Sequence, residues 1–321
     1  MTVNFAMIAT GRIADNQLAP AVTEAEGARL WSVLSRDRGR AADFAARHGA
    51  ASPVPAHDDL DEVLADPELD AVIIASPDKI HAAQGIAAAR AGKHVFAEKP
   101  MVTDRADGRA LVDACRDAEV KLGVAFHMRW HAGHRALAEE ARAGRFGTIR
   151  HMRVNWTQRQ PDASNWRASP EVGRWWSLGG VGPHCIDQVC WFMQPEAGEV
   201  RTLHGVIDNS VWNSAHDETA VLVLHFENGA TAEICTSMQF VSPKRMEVYG
   251  EEGWAICEET FGYDGDGRIW TDRGEFDFPV RNPYVDEVRD FVLAVEEDRE
   301  PEVDGEEGLR NVDLLLRAVG A

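Results

Sequence analysis

Two residues stand where their chemistry could be used, Lys99 and His184. Lys99 lies in Gly92–Pro100, GKHVFAEKP. A short apolar run, His94–Ala97, leads straight into Glu98-Lys99-Pro100, and Pro100 keeps Lys99 out of helical geometry. An ammonium group therefore stands at the carboxyl end of a predicted parallel strand, the edge where open α/β sheets bind ligands. The chain has five lysines against 28 arginines, so lysine is scarce. The plainer reading is a solvated charge at a strand end. His184 closes Gly179-Gly180-Val181-Gly182-Pro183-His184, with a helix predicted to begin near Pro183. In the first turn of a helix the dipole opposes protonation and favours neutral imidazole, the form a general base needs. The same helix places His184, Asp187 or Gln188, and Trp191 on one face. The plainer reading makes His184 a capping or core histidine.

The elements that must position Lys99 alternate in type. Val3–Ala9 reads as a buried strand, followed by Thr10-Gly11-Arg12-Ile13-Ala14 and a helical stretch. This is the strand–turn–helix context of G-x-G-x-x-G/A, with Ala9 in place of the first glycine. Gly11 lets the backbone approach a pyrophosphate, and the N–H groups of Thr10, Gly11, Arg12 and Ile13 are placed to hold it. The next strand, Leu30–Leu34, ends in Ser35-Arg36. A hydroxyl and a guanidinium suit a ribose 2′-phosphate, which favours NADP over NAD, although Asp37 could serve a free ribose. Helices over Ala41–His48 and His81–Ala91 alternate with strands over Ala71–Ala75 and His94–Ala97, and His57–Ala65 with the Asp66-Pro67 turn precedes the first of these strands. Thr103 is placed to cap a helix from Asp104 to about Ala118, and Val120–Ala125 is a further strand. The alternation predicts an α/β fold with a doubly wound parallel sheet.

The second half reads differently, and the boundary falls near Gly123, giving domains 1–122 and 123–321. His131 to about Ala143 is helical. Ile149–Thr157, Arg201–Ile207, Thr219–Phe226, Ala230–Met238 and Lys244–Tyr249 alternate like half-exposed strands, with a hairpin turn at Glu227-Asn228-Gly229. Val285–Val295 and Gly308–Val319 form a final helical part. The second domain is thus α+β, an open and largely antiparallel sheet backed by helices. His127, His131 and His134 fall near one face, but no cysteine or acid completes a tetrahedral set, so no metal site is read there. The sequence has ten tryptophans. Trp166 and Trp176 are candidates to pack against the C–H faces of a sugar, and Arg167 could bond its hydroxyls.

The net charge of −20 disfavours nucleic acid and anionic membranes as partners and is compatible with the acidic surface of salt-adapted proteins. Five cysteines form no CxxC, which points to a reducing cytoplasm. No apolar run reaches the length of a membrane span, and the N-terminus shows no basic leader pattern.

Ala9–Ala14, Ser35-Arg36, Ser76-Pro77-Asp78 with His81, and above all Ala91–Val95 with Glu98-Lys99-Pro100 resemble the glucose–fructose oxidoreductase/inositol dehydrogenase (Gfo/Idh/MocA) family. The resemblance covers essentially the whole chain. It implies an N-terminal Rossmann domain, NADP or NAD as cofactor, an active-site Lys99 and a cis Lys99–Pro100 peptide. It also implies hydride exchange with a sugar, polyol or related secondary alcohol or ketone. Lys99 and His184 would be the catalytic pair. Ser76, Pro77, His81 and Glu98 join the loop residues and Ser35-Arg36 as cofactor contacts. His127, Arg129, Trp166, Arg167, Trp176, His184 and Asp187 would line the substrate site. Family members dimerise through the open sheet, so a homodimer or homotetramer follows. Two positions depart from the pattern: Asp78 replaces the usual Asn, and Gly180 stands where an Asp is often found. Gly180 keeps two alternatives open, a redox-neutral glycosidase or lyase of the same fold and a non-catalytic sensor.

Overall fold

The computed structural model describes residues 2–171 and 173–320. Largely apolar runs make strands that are mostly buried on both faces, and these build a wholly parallel six-stranded sheet. Its strands are β1 (Val3–Ile8), β2 (Ala28–Leu34), β3 (Ala56–His57), β4 (Ala71–Ile74), β5 (His94–Ala97) and β6 (Leu122–Val124). The order is β3-β2-β1-β4-β5-β6, with all neighbours parallel. The chain reverses its direction of winding between β1 and β4, which puts a topological switch point at their carboxyl ends. The helix after β5 runs Arg105–Asp117. Asp104, not Thr103, caps it, accepting from Ala106 N at 2.8 Å.

The chain divides into two compact units, 1–126 with 284–312 and 127–283 with 313–321. The predicted boundary assigned everything after residue 122 to the second domain, whereas the helix Pro283–Glu296 begins a segment that completes the first unit. Tyr284, Val288, Phe291 and Val292 recur at helical spacing and join the core beneath the parallel sheet. The Phe291 ring lies 5.0 Å from Phe96 and 6.0 Å from Phe5. Gly123 makes room for it, since a Cβ there would stand 2.7 Å from the Phe291 ring.

The second unit holds an eight-stranded sheet of β7 (Ile149–Thr157), β8 (Val200–Asp208), β9 (Thr219–Phe226), β10 (Thr231–Ser237), β11 (Arg245–Gly250), β12 (Trp254–Glu258), β13 (Arg268–Thr271) and β14 (Gly274–Glu275). The order is β14-β13-β12-β11-β7-β10-β9-β8, and only β7 and β10 pair in parallel. Alternation sorts the faces: Ala220, Leu222, Leu224 and Phe226 of β9 are buried, while Val221 and Val223 face outward. The sequence reading ended the sheet at Tyr249. The last three strands have at most five residues each, too few for alternation to declare itself. The helix Gly182–Ala197 is almost wholly buried, which explains why its apolar residues show no single stripe.

Candidate active site

In the first unit, β1 runs into Ala9, Thr10 and Gly11, and a helical run follows over 12–24. It is π-wound over Ala14–Leu18 and α-helical over Ala19–Glu24, with Pro20 near the change. Ala9 takes φ +92°, the left-handed value that the missing first glycine would have adopted without strain. A Cβ built on Gly11 meets nothing within 4 Å, so the backbone there is open to a ligand. With the helix N-terminus directly behind it, this cradle fits a dinucleotide pyrophosphate. At the end of β2, Ser35 is buried and Arg36 is exposed. Asp37 caps the helix Arg38–His48, accepting from Arg40 N at 2.7 Å. The carboxylate that could have served a ribose is thus occupied in a cap. Asp15, in the first turn of the 12–24 run, bonds His48 at 2.7 Å and pairs with Arg47. The His48 hydrogen bond is the main influence holding its carboxyl below the usual range.

Lys99 follows β5 as expected, and the Lys99–Pro100 peptide is cis. Glu98 N donates to Ile74 O at 2.8 Å, anchoring the turn to β4. Lys99 N donates to the Glu98 carboxylate at 3.1 Å. His81 was expected at the cofactor, but it is fully buried beneath the turn. Its Nε2 lies 2.8 Å from Ser76 O and its Nδ1 3.2 Å from Pro100 O. The shorter contact marks Nε2–H as the donor. His81 is thus bonded to the end of β4 and packs beneath the turn that carries Lys99. Ser76 Oγ donates to Gln84 Oε1 at 2.6 Å, and Pro77 leads into the turn Asp78–Ile80. Lys93, the other lysine of the motif, donates to Asp66 O and Leu69 O, both at 2.8 Å, and is structural.

In the second unit His184 occupies the first turn of Gly182–Ala197. Its ring stacks on Trp156, with centroids 5.6 Å apart, and meets His127 edge-on at 4.5 Å. Asp187, one turn on, does not stand open to a ligand. Arg129 donates to it through Nη2 at 2.7 Å and through Nε at 3.0 and 3.1 Å. Arg129 is 5% exposed and Asp187 3% exposed, so this expected pair of substrate contacts forms a buried ion pair instead. Its geometry braces the His184 helix against the segment His127–Trp130.

The three neighbouring histidines serve one loop, residues 259–267 between β12 and β13. His127 Nε2 donates to Gly262 O at 3.0 Å and His131 Nε2 to Asp266 O at 2.9 Å. His134 Nδ1 donates to Gln188 Oε1 at 2.9 Å, and its Nε2 accepts from Thr260 Oγ1 at 2.8 Å. Burial lowers the pKa of His131 and lowers that of His134 well below the ordinary value, with the adjacent His131 adding to the latter. Both rings are neutral at pH 7. Among the described residues no three His, Cys, Asp or Glu side chains are grouped to hold a metal ion.

Trp176 is 1% exposed and packs with Ala168, Met238 and Trp212, so it is core and not a sugar platform. Trp166 is exposed, with the Arg167 guanidinium 4.1 Å above its ring. At Gly180 a Cβ would come within 2.9 Å of Met238 Cε, so a thioether fills the space beside the position where an acid was expected. Gln158 Nε2 donates to that sulfur at 3.2 Å. The sequence reading missed Asp217, which shapes this segment. Its carboxylate accepts from Trp176 N at 2.9 Å and from Ser177 Oγ and Leu178 N at 2.6 Å. Burial raises its pKa against the pull of those donors. The available signal was a pair of acids, Asp217-Glu218, directly ahead of a buried strand.

A switch-point sheet with an open glycine cradle, and a lysine on the adjoining strand end, fit a dinucleotide-binding domain. Comparison with known proteins gives the family. A profile described as "Oxidoreductase family, NAD-binding Rossmann fold" matches residues 3–126, and the "GFO/IDH/MocA C-terminal domain" matches 134–256. Myo-inositol 2-dehydrogenase of Thermotoga maritima is 30% identical over 276 residues, 81% of this chain and 79% of its own. D-xylose 1-dehydrogenase (NADP(+)) 2 of Haloferax volcanii is 29% identical over 328 residues, 98% of this chain and 96% of its own. Among solved structures, aldose-aldose oxidoreductase from Caulobacter crescentus, complexed with glycerol, shares the fold with a TM-score of 0.91. It is 23% identical, and the match covers 99% of this chain and 98% of that one. The chain belongs to the Gfo/Idh/MocA oxidoreductase family and is an NAD(P)-dependent enzyme.

Proposed function

We propose that the enzyme transfers hydride between NADP(H) and a secondary alcohol or ketone of a sugar or polyol. The observation that carries the reading is the turn Glu98-Lys99-Pro100 at the end of β5, anchored to β4 through Glu98 N and Ile74 O beside the switch point. His184 takes the hydroxyl proton in the oxidative direction. The aromatic stack of Trp156 and the edge of His127 hold its ring, and its place in a first helical turn favours the neutral base. Lys99 stabilises the developing alkoxide as a fixed positive charge. The nicotinamide, when bound, supplies the hydride acceptor. In reduction His184 returns that proton to the nascent alkoxide, while Lys99 keeps its charge throughout. Thr10, Gly11, Arg12 and Ile13 hold the pyrophosphate, and Ser35 with Arg36 reads the 2′-phosphate. The relatives' printed substrates, an inositol and a xylose, support the substrate class.

The outward face of the eight-stranded sheet supports self-association. Val206, Val221 and Val223 are exposed there, around a row in which Arg153 is paired with Glu233. A homodimer or homotetramer through this face follows. Five unbridged cysteines support a cytoplasmic setting, and no helix among the described residues is long and apolar enough to cross a membrane.

The test is titration of NADPH and NADH by fluorescence, followed by a sugar and polyol panel read at the nicotinamide absorbance. Lys99→Ala should lower kcat by about 10²–10³-fold while NADPH affinity is retained. Near-normal turnover in that variant removes Lys99 from the mechanism. Tight cofactor binding with cleavage of a glycoside and no net absorbance change would replace hydride transfer to substrate by redox-neutral chemistry.

A further inference from the structure

We propose that Tyr263, at the tip of the loop 259–267, is a substrate-contacting residue that helps determine which sugar the enzyme accepts. The proposal rests on His184 being the proton-transfer residue. The aromatic cluster around His184 is otherwise closed: Trp156, His127 and Phe261 are all buried. Phe261 packs on Trp156 at 5.1 Å, and Tyr263 lies 6.3 Å from His127, centroid to centroid. Tyr263 alone of this group presents its ring outward, 43% exposed. It therefore offers an apolar face and a phenol next to the residue that touches His184, the combination that binds the C–H face and a hydroxyl of a sugar ring.

A platform on a surface loop selects substrates only if the loop is held, and this one is. His134 bonds Thr260, His127 bonds Gly262 and His131 bonds Asp266, so three fixed side chains grip it on both sides of Tyr263. The backbone is shaped for one conformation. Glu259, Gly265 and Gly267 take positive φ, and a Cβ at Gly265 would collide with Arg281 O. The three buried histidines thereby have a role: they position the loop. Loops held by a rigid scaffold are where specificity residues accumulate.

The experiment compares wild type, Tyr263→Phe and Tyr263→Ala, with His184→Gln as reference. The readouts are KM and kcat across the sugar and polyol panel, NADPH affinity by fluorescence, Tm, and sugar binding to the NADP-loaded protein by saturation-transfer NMR. Tyr263→Ala is expected to raise KM for the preferred sugar about tenfold and to weaken its NMR signal, the loss of one aromatic contact. NADPH affinity and Tm should stay at wild-type values. Tyr263→Phe should keep the affinity for sugars that use only stacking and change the ranking of the others. Unchanged KM, ranking and NMR signal in both variants overturn the proposal while leaving the His184 reading intact. Normal turnover in His184→Gln overturns that reading, and the proposal with it. Failure of the wild type to bind any member of the panel overturns both.

Discussion

Replacing Asp187 by Asn tests whether the acid one turn beyond His184 serves substrate or structure. Arg129 places three N–H···O contacts of 2.7–3.1 Å on its carboxylate, and both side chains are almost fully buried. Removing one partner of such a pair leaves an uncompensated charge inside the protein, a loss of about 3–5 kcal/mol. Asparagine keeps one carbonyl to accept a bond, so Asp187→Asn belongs near the lower figure and Asp187→Leu near the upper. Arg129→Met combined with Asp187→Leu removes both charges together. It should be more stable than the sum of the single losses by at least about 2 kcal/mol. Urea denaturation of cofactor-free protein, followed by tryptophan fluorescence, is the assay. Trp191 lies 5.9 Å from the Arg129 guanidinium and reports on the site. A loss below about 1 kcal/mol in Asp187→Asn, with a raised KM and no coupling in the cycle, would refute the structural reading and restore Asp187 to the substrate.

Ala9→Gly relieves a left-handed alanine and should gain about 0.5–1 kcal/mol after the extra freedom of the unfolded chain is counted, a rise of a few degrees in Tm by calorimetry; a fall would show that Ala9 is unstrained. Arg36→Ala should weaken NADPH about tenfold or more and NADH little, as read by fluorescence titration; equal losses would remove Arg36 from the 2′-phosphate. His131 and His134 have depressed folded pKa values, so the unfolded chain binds more protons and stability is lost as pH falls below about 6.5. Each contributes a slope of up to about 1.4 kcal/mol per pH unit there. Tm measured from pH 7.5 to 5 should fall, and His134→Gln should flatten the curve.

Sequence reading reaches furthest where one local rule decides the outcome. The alternation of apolar runs and helices gave the parallel sheet, because strands buried on both faces are apolar throughout. Proline after Lys99 marked its turn without any tertiary information. It fails where a side chain's partner is distant in the chain. His81, Arg129, Asp187 and Trp176 all have the residue types of a binding site, and all are turned inward onto Ser76, onto each other or onto Met238. Nothing in their spacing distinguishes an acid that meets a sugar from one that meets an arginine 58 positions away. The loop 259–267 escaped notice for the same reason. Its anchors, His127, His131 and His134, lie more than 120 residues earlier and read as a failed metal site. The helix Pro283–Glu296 was legible as a helix, but its partners Phe5 and Phe96 were not.

That last pairing constrains the order of events during synthesis. The parallel sheet emerges from the ribosome first, yet the faces of Phe5, Phe96 and Gly123 stay uncovered until Phe291 arrives. At cellular elongation rates, the nascent first unit waits on the order of ten to thirty seconds for residues 284–312 to be made. Throughout that interval the seam that Phe291 will cover stays open to solvent, and the first unit can complete its core only near the end of translation.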